Sequence, residues 1–202
     1  MNTSTESPAL HIIHYPHPGL RSPAKTVRRV DAQLKELVAQ MFELMYAARG
    51  IGLAAPQVDL PLRLFIVNLE AEKGKGEELV FINPVVTRPK SSSEMEEGCL
   101  SLPGLYGPVV RPKQVRINAY DLTGQEIVAD VSGMMARVVQ HELDHLDGVL
   151  FIDRMSDSAR LKTLAALEEF ELDFRSRRTT GSIPDDATLA RQRLAWESRY
   201  CS

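Results

Sequence analysis

The sequence predicts an α+β fold in which small antiparallel or mixed β-sheets pack around a central helix, with another helix toward the C-terminus. Two observations lead to this prediction. Strand-like segments cluster between helical segments without a regular β-α-β alternation. In addition, the segment 133–146 is apolar on nearly all sides, which is typical of a buried helix. The 202 residues suffice for one domain with a sizeable core.

The elements are predicted in order along the chain. Apolar residues recur at helical spacing from Leu34 to Met45, which predicts a first helix with Asp31 as its N-cap and Gly50 as its C-terminal stop. Two pairs of strands follow, over 62–69 and 79–86 and then over 109–121 and 125–131. After the buried helix, a further helix is predicted over 157–174.

The composition excludes several classes of protein. Hydrophobic residues make up 44% and charged residues 25%, as in ordinary globular proteins. The net charge of −3 indicates neither nucleic acid nor an anionic membrane. Two cysteines, Cys99 and Cys201, form no disulfide framework and favour a reducing compartment. We therefore expect a cytoplasmic protein with no membrane partner and no sequence-specific nucleic-acid partner.

The sequence His141-Glu142-Leu143-Asp144-His145 lies in the predicted buried helix. Imidazoles four residues apart project from the same side of a helix, so both can reach one metal ion. Glu142 would then lie beside that ion, where it can transfer protons. Without a partner, these groups would be costly to bury. The pattern therefore predicts a metal site.

Several residues compete for the third ligand that a catalytic metal usually has. A metzincin would place a histidine where this chain has Phe151. A thermolysin-like endopeptidase would use a glutamate further along, such as Glu168 or Glu169. Cys99, in a predicted polar loop, is the other candidate. If Cys201 supplied a fourth ligand, the site would instead be a closed structural one in a binding module.

Three segments of the sequence resemble the signature motifs of peptide deformylases, in that family's order and approximate spacing. They are Gly50-Ile51-Gly52-Leu53-Ala54-Ala55-Pro56-Gln57, Glu97-Gly98-Cys99-Leu100-Ser101, and Gln140-His141-Glu142-Leu143-Asp144-His145-Leu146-Asp147-Gly148. The similarity extends over about 11–155. Any one motif alone would be weak evidence, whereas the three together are specific.

The resemblance implies a function. It assigns the metal to Cys99, His141 and His145, with water as the fourth ligand and nucleophile. The implied reaction is hydrolysis of the N-formyl group on the initiator methionine of nascent polypeptides, which releases formate. Glu142 would take a proton from the water and deliver one to the departing amine. The side-chain amide of Gln57 and the backbone N–H of Leu100 would stabilise the negative charge that develops on the formyl oxygen.

The peptide is expected to bind by strand addition near Gly50, Ile51 and Gly52, where two glycines permit close backbone approach. Gly98, immediately before the cysteine, permits a close approach in the same way.

A pocket for the methionine side chain is expected along the metal helix. Met134, Arg137 and Val138 lie one and two turns before His141, on the same side of the helix. Arg137 would direct its charged end out to solvent while its stem lines the rim. The resemblance also implies an ion pair between Glu97 and Arg111.

The metal itself is only partly specified. A thiolate with two imidazoles suits zinc and also ferrous iron. The resemblance favours one Fe²⁺ per chain as the working ion, with Zn²⁺, Ni²⁺ or Co²⁺ as alternatives in the isolated protein.

The domain boundaries predicted from the sequence are a disordered leader over 1–8, a single catalytic metallohydrolase domain over 9–174, and a tail with a short amphipathic helix over 175–202. The tail begins with Arg175, Arg177 and Arg178. This basic cluster suggests a transient ribosome contact through counterion release. A solvated helix end is the simpler explanation, because the helix dipole favours cations there. Truncation after Phe174 is therefore expected to leave hydrolysis of a short formylated peptide unchanged.

Overall fold

The computed structural model describes residues 9–202 and confirms the α+β class. The predicted leader over 1–8 lies outside the described residues. The strands are β1 (Gly52–Ala54), β2 (Leu64–Val67), β3 (Leu79–Lys90), β4 (Ser93–Cys99), β5 (Leu102–Arg111), β6 (Gln114–Tyr120) and β7 (Glu126–Ser132). The helices are α1 (Ala32–Ala47), α2 (Gly133–Leu146), α3 (Asp157–Leu161), α4 (Leu164–Thr179) and α5 (Asp186–Tyr200). Over 9–202, no helix is long and apolar enough to span a bilayer.

The strands form two antiparallel sheets. Five strands pair in the order β1-β2-β3-β6-β7, which leaves β1 at one edge, and β4 pairs with β5 alone. Helix α2 covers the five-stranded sheet, and its Val138, Val139 and Leu146 pack in one cluster with Phe65 and Phe81 of the sheet. The metal helix predicted from the sequence is therefore central, and it has the predicted bounds.

Helix α1 begins as predicted. The carboxylate of Asp31 accepts a hydrogen bond from the backbone N–H of Leu34 at 2.9 Å, which satisfies one of the free donors at the helix start. The buried face of α1 packs against Leu53 and Leu64 of the sheet and against Tyr200 of α5. This cluster is the largest apolar core in the described chain.

The strand predicted over 109–121 is two strands in the structure. Strand β5 ends at Arg111 and β6 begins at Gln114, and the two belong to different sheets. Pro112 lies at the break, because proline has no N–H to donate to a ladder. The polar segment before Cys99, predicted to be a loop, is strand β4. The backbone of this segment pairs with β5, and the polar sequence alone did not indicate that pairing.

The C-terminal segment is part of the folded body. The helix predicted over 157–174 is two helices, α3 and α4, and the predicted boundary after Phe174 falls inside α4. Helix α5 is 15 residues long and packs against the start of α1. The Tyr200 side chain is fully buried, and its hydroxyl donates to Asp31 at 3.1 Å. The tail is thus joined to the core at Tyr200.

Candidate active site

Three side chains that could hold a metal converge where β4 meets α2. Cys99 lies at the end of β4, and His141 and His145 lie one turn apart on α2. Their ligand atoms are all within 4.8 Å of one another, and the Cys99 Sγ is 3.2 Å from the His145 Nε2. Among residues 9–202, this is the one such group of three or more. Thiolate and imidazole together suit zinc or ferrous iron.

Glu97 fixes the orientation of His141. Its carboxylate lies 2.9 Å from the His141 Nδ1, and Arg111 donates two hydrogen bonds to it at 2.7 and 3.0 Å. Burial alone would raise the pKa of Glu97, but the hydrogen bonds from His141 and Arg111 outweigh it and lower that pKa to about 2. An ionised Glu97 accepts the Nδ1 proton, which leaves the Nε2 lone pair of His141 for a metal.

Two buried polar atoms have no hydrogen-bond partner in the described chain. They are Nδ1 of His145 and Oε2 of Glu142. Burial lowers the pKa of His145 well below its usual value, so its imidazole is neutral and can act as a ligand. The His145 nitrogen beside the Cys99 Sγ is Nε2, which would be the ligand atom. Because an unpaired buried polar atom is costly, the Glu142 Oε2 fits a site that takes a polar substrate next to the ligand group.

Glu142 lies between the two histidines on α2 and is 4% exposed. Burial raises its pKa to about 7. The backbone of Gly52 passes so close that an added Cβ would lie 2.5 Å from the Glu142 Oε1 and 2.8 Å from a methyl of Val138. The glycine was predicted to leave room for a peptide; in the structure it also leaves room for this carboxylate.

Gln57 points its amide toward the metal ligands. The Gln57 Oε1 accepts from the Ala54 backbone N–H at 2.8 Å, which orients the amide. Its Nε2 then donates toward the Cys99 Sγ at 3.4 Å and the Ser101 Oγ at 3.3 Å. Both N–H groups thus have an acceptor in the described chain, and an oxygen atom bound between Gln57 and the ligands would take the place of one of them.

A cavity of about 630 Å³ opens onto these groups. The predicted site residues that line it are Gly50, Ile51, Gly52, Gln57, Glu97, Gly98, Cys99, Leu100, Met134, Arg137, Val138, His141 and Glu142. His145 lies behind them as a buried member of the ligand group. The structure therefore brings the whole predicted set together around one cavity.

Arg137 is not directed to solvent as predicted. It is 5% exposed, and its guanidinium donates to the Glu97 carboxylate at 2.9 Å and to the Val109 carbonyl at 3.0 Å. Glu97 is likewise buried, whereas acidic side chains in polar segments are usually solvated. The Glu97 carboxylate pairs with the guanidinium groups of Arg111 and Arg137, and this pairing offsets the cost of burying the three charges.

The competing ligands lie elsewhere. Glu168 and Glu169 are exposed on α4. Cys201 packs beside the α1 core, where its sulfur is 3.8 Å from the Lys25 carbonyl. Neither arrangement adds a ligand to the group of Cys99, His141 and His145.

Two supporting residues were not predicted from the sequence. Asp144 binds Arg111 at 2.7 Å and also Arg154 at 2.7 Å. It lies three residues after His141, on the same side of the helix, and that spacing could have identified it. Ser101, the second partner of Gln57, is fully buried in the segment after Cys99. No local pattern signals its contact, because the partners are 44 residues apart.

Known proteins similar to this chain all point to one family. Residues 9–161 match the family model described as polypeptide deformylase. A curated peptide deformylase of Rhodopirellula baltica is 51% identical over 95% of this chain and 95% of its own length. An Arabidopsis thaliana relative, named peptide deformylase 1B, chloroplastic/mitochondrial, is 42% identical over 91% of this chain and 67% of its own length.

Solved structures agree in fold. A plant peptide deformylase 1B matches with a TM-score of 0.81 and 42% identity, over 92% of this chain and 99% of that one. A peptide deformylase from Legionella pneumophila matches with a TM-score of 0.76 and 38% identity, over 84% of this chain and 99% of that one. With the three motifs gathered around one cavity, these matches confirm the resemblance seen in the sequence: the chain belongs to the peptide deformylase family.

Proposed function

We propose that this enzyme removes the N-formyl group from the initiator methionine of nascent polypeptides. The observation that carries the proposal is that Glu142 and Gln57 line the same cavity as a Cys-His-His ligand group, and that this cavity is large enough for an amino-acid side chain. Hydrolysis of a formamide needs a nucleophilic water, a proton carrier and a group that stabilises the developing oxyanion. Each has a candidate at this site.

Cys99, His141 and His145 would hold one divalent cation. When bound, the cation would supply Lewis acidity, which lowers the pKa of a coordinated water toward neutrality and makes it a nucleophile. Glu97 would keep His141 in the tautomer that ligation needs. The N–H of Ser101, 3.4 Å from the Cys99 Sγ, would stabilise the thiolate.

Glu142 would move the protons. Its Oε2 has no partner in the described chain, so it is available to accept a proton from the attacking water. The same carboxyl group would then donate that proton to the amine that leaves as the formyl C–N bond breaks. Burial and the contact with Gly52 restrict where the carboxylate can move.

Gln57 and Leu100 would stabilise the oxygen of the formyl group. The Gln57 Nε2 is already oriented through Ala54, and such orientation before reaction is what gives these donors their effect. The backbone N–H of Leu100 lies between the ligand Cys99 and the buried Ser101, within the same segment. Removing one donor of this kind typically reduces kcat by about 10²–10³.

The peptide would enter along the edge of the five-stranded sheet. Strand β1 is the edge strand, and Gly50, Ile51 and Gly52 line the cavity there. An extended chain can pair with such an edge through its backbone. The methionine side chain would contact Val138, the half-exposed Met134 and the stem of Arg137. Gly98, which has no side chain, leaves room for the ring of Tyr106 on the neighbouring strand.

The working ion, the compartment and a ribosome contact remain predictions. We favour Fe²⁺ over Zn²⁺, Ni²⁺ or Co²⁺, and the cytoplasm over an organelle such as the one named for the plant relatives. Two of the three arginines in the basic cluster are engaged within the fold, because Arg177 lies 3.9 Å from Asp173 and Arg178 pairs with Asp186. We therefore favour a structural role for these arginines.

A deformylation assay combined with metal analysis tests the proposal. Protein purified without oxygen should release formate from formyl-Met-Ala-Ser and contain about one metal ion per chain. If Fe²⁺ is the working ion, exposure to air should reduce the activity progressively, whereas a zinc enzyme would be indifferent because zinc has no redox chemistry. Failure of the anaerobic, metal-loaded protein to release formate would refute the proposal.

The ligand assignment is tested with Cys99→Ser. A hydroxyl is a poor substitute for a thiolate, so metal affinity and activity should both fall. Glu168→Ala, on the exposed face of α4, is the matched control and should retain both. If instead Glu168→Ala loses metal and activity while Cys99→Ser retains them, the endopeptidase interpretation is favoured, in which a glutamate from α4 completes the site.

A further inference from the structure

The metal ligands come from two parts of the fold that pack separately. Helix α2, which carries His141 and His145, buries its apolar residues in the cluster with the five-stranded sheet. Strand β5 packs its apolar residues Leu105 and Val109 in a different cluster, together with Phe151 and Leu167. Cys99, on the partner strand β4, belongs to the edge of that second cluster. The ring of His141 stacks on Phe151 of that cluster, with centroids 6.3 Å apart, and this one ring contact between the two parts does not by itself set the distance from Cys99 to both histidines.

A buried set of charges fills the junction between α2 and the two-stranded sheet. Glu97 on β4, Arg111 on β5, and Arg137 and Asp144 on α2 are all 5–6% exposed. Arg111 joins Glu97 to Asp144, with distances of 2.7 Å to each carboxylate. The junction is thus held by charge-assisted hydrogen bonds, which are directional and short.

Arg137 makes contacts that span the whole width of the small sheet. One terminal nitrogen donates to the Glu97 Oε1 at 2.9 Å and to the Val109 carbonyl at 3.0 Å. The other donates to the Ser93 carbonyl at 2.8 Å and to the Ser93 Oγ at 3.3 Å. These acceptors lie at the start of β4, near the end of β4, and on β5. The two terminal nitrogens carry four N–H groups, and each of the four has an acceptor in the small sheet.

We propose that Arg137 is a positioning residue for the metal centre: by joining α2 to both strands of the small sheet, it holds Cys99 at the distance from His141 and His145 that one shared cation requires. The inference rests on the metal site of the proposed function, although not on the reaction. It also explains why a charged residue lies one turn before His141, on a helix face that borders an apolar pocket.

The shape of the side chain supports an arginine at this position. A planar guanidinium presents its donors in a fixed fork and can bind acceptors on two strands at once. A lysine at the same place has one nitrogen, which could reach Glu97 or the strand carbonyls but not all of them. Arg137→Lys therefore keeps the charge beside Glu97 and removes the bridge between the strands.

The test measures metal binding in three full-length variants: Arg137→Met, Arg137→Lys and Arg154→Met. The matched control is Arg154→Met, because Arg154 binds Asp144 in the same charge network but has no hydrogen bond to β4 or β5 in the described chain. Zn²⁺ affinity is measured by competition with a chromophoric chelator. The absorption spectrum of the Co²⁺-loaded protein reports the geometry of the site and the thiolate contact, and thermal unfolding reports the fold.

Arg137→Met should weaken Zn²⁺ binding about 10–100-fold, the usual effect of removing a residue that supports metal ligands. Its Co²⁺ spectrum should also change at saturating metal, which a loss of overall stability alone would not produce. Arg137→Lys should lie between Arg137→Met and wild type, and Arg154→Met should match wild type.

A folded Arg137→Met protein with wild-type Zn²⁺ affinity and Co²⁺ spectrum would overturn the inference. If Arg137→Met does not fold, the Arg137→Lys variant provides the test. Wild-type metal binding by Arg137→Lys would also overturn the inference. The proposed function is judged separately by formate release from the wild-type protein. A wild-type protein that binds metal but releases no formate would refute the function and leave the role of Arg137 standing.

Discussion

At the scale of single residues, the site leaves little space around Glu142. Its carboxylate is buried beside the backbone of Gly52. The Oε2 atom has no hydrogen-bond partner in the described chain, and the three candidate metal ligands are cysteine and histidine side chains. In the proposed mechanism the ligands and the proton carrier are therefore different side chains, whose roles can be separated by mutation.

Glu142→Ala should retain the fold and the bound metal while abolishing formate release. The reason is that Glu142 transfers protons in the proposed mechanism and is not among the three candidate ligands. Metal content and turnover of the purified variant check this directly. Near wild-type turnover in the metal-loaded variant would contradict the assigned mechanism.

Gly52→Ala should lower kcat. The new methyl group would lie 2.5 Å from the Glu142 Oε1, so the carboxylate must move away from its position. Gly50→Ala is the matched control on the same segment. Its methyl would meet a terminal carbon of Leu100 at 2.7 Å and would not touch Glu142. Steady-state kinetics on formyl-Met-Ala-Ser should show the larger loss of kcat in Gly52→Ala, and equal losses would argue against this role for Gly52.

At the scale of the elements, the features that depend on local sequence were predictable and those that depend on distant charges were not. Helix α2 and the Asp31 cap follow from spacing and residue type within a few positions. Strand β4 did not, because its buried Glu97 is stabilised by Arg137, which is 40 residues away along the chain. A buried charge and a solvated one look alike in sequence, since only the partner distinguishes them.

The C-terminal helix gives a prediction at the same scale. Tyr200→Ala should lower the free energy of unfolding by about 3 kcal/mol, as for other large aromatic truncations in a core. Leu194→Ala, on the same helix but 61% exposed, should change it by less than about 0.5 kcal/mol. Urea unfolding of both variants measures the difference. Similar changes in the free energy of unfolding for Tyr200→Ala and Leu194→Ala would mean that α5 is not anchored through Tyr200.

The burial of Tyr200 changes what a truncation should do. Removing everything after Phe174 would cut α4 and uncover the core around α1, although every assigned site residue lies before the cut. The expected result is now lower stability and, through it, lower activity. The sequence alone predicted no effect, because burial of a single aromatic residue leaves no periodic signal.

At the scale of the whole molecule, His17 lies where several parts of the chain meet. Its ring packs edge-on against Phe174 of α4, with centroids 6.1 Å apart, and its Nδ1 accepts from the Gly19 backbone N–H at 3.1 Å. The nearby Asp59 also pairs with Arg193 of α5. Burial, assisted by the charges of Arg178 and Arg193, lowers the pKa of His17 from 6.5 to about 4.

This shift predicts lower stability in mild acid. Between pH 6.5 and 4, the unfolded chain binds a proton at His17 that the folded chain excludes. The free energy of unfolding should therefore fall as the pH falls through that window, by about 1 kcal/mol per pH unit from this residue. His17→Asn keeps an acceptor for the Gly19 N–H but does not titrate. Denaturant unfolding at pH 7 and pH 5 should show that the free energy of unfolding falls less in the variant than in the wild-type protein. An equal fall in both proteins would exclude His17 as the cause.

If the peptide binds at β1 as proposed, the position of this strand would also determine which molecules can be processed. Unpaired sheet edges invite other strands, and proteins usually limit such edges by making them short or covering them. Here the edge is three residues long, and its Gly52 lines the cavity together with Met95 and Tyr106 of the small sheet. In the proposed binding mode a single extended chain would reach this edge, whereas the edge of a folded sheet would not. Access would then close as soon as the first residues of a client protein become structured, so deformylation would compete in time with folding of the client's own amino terminus.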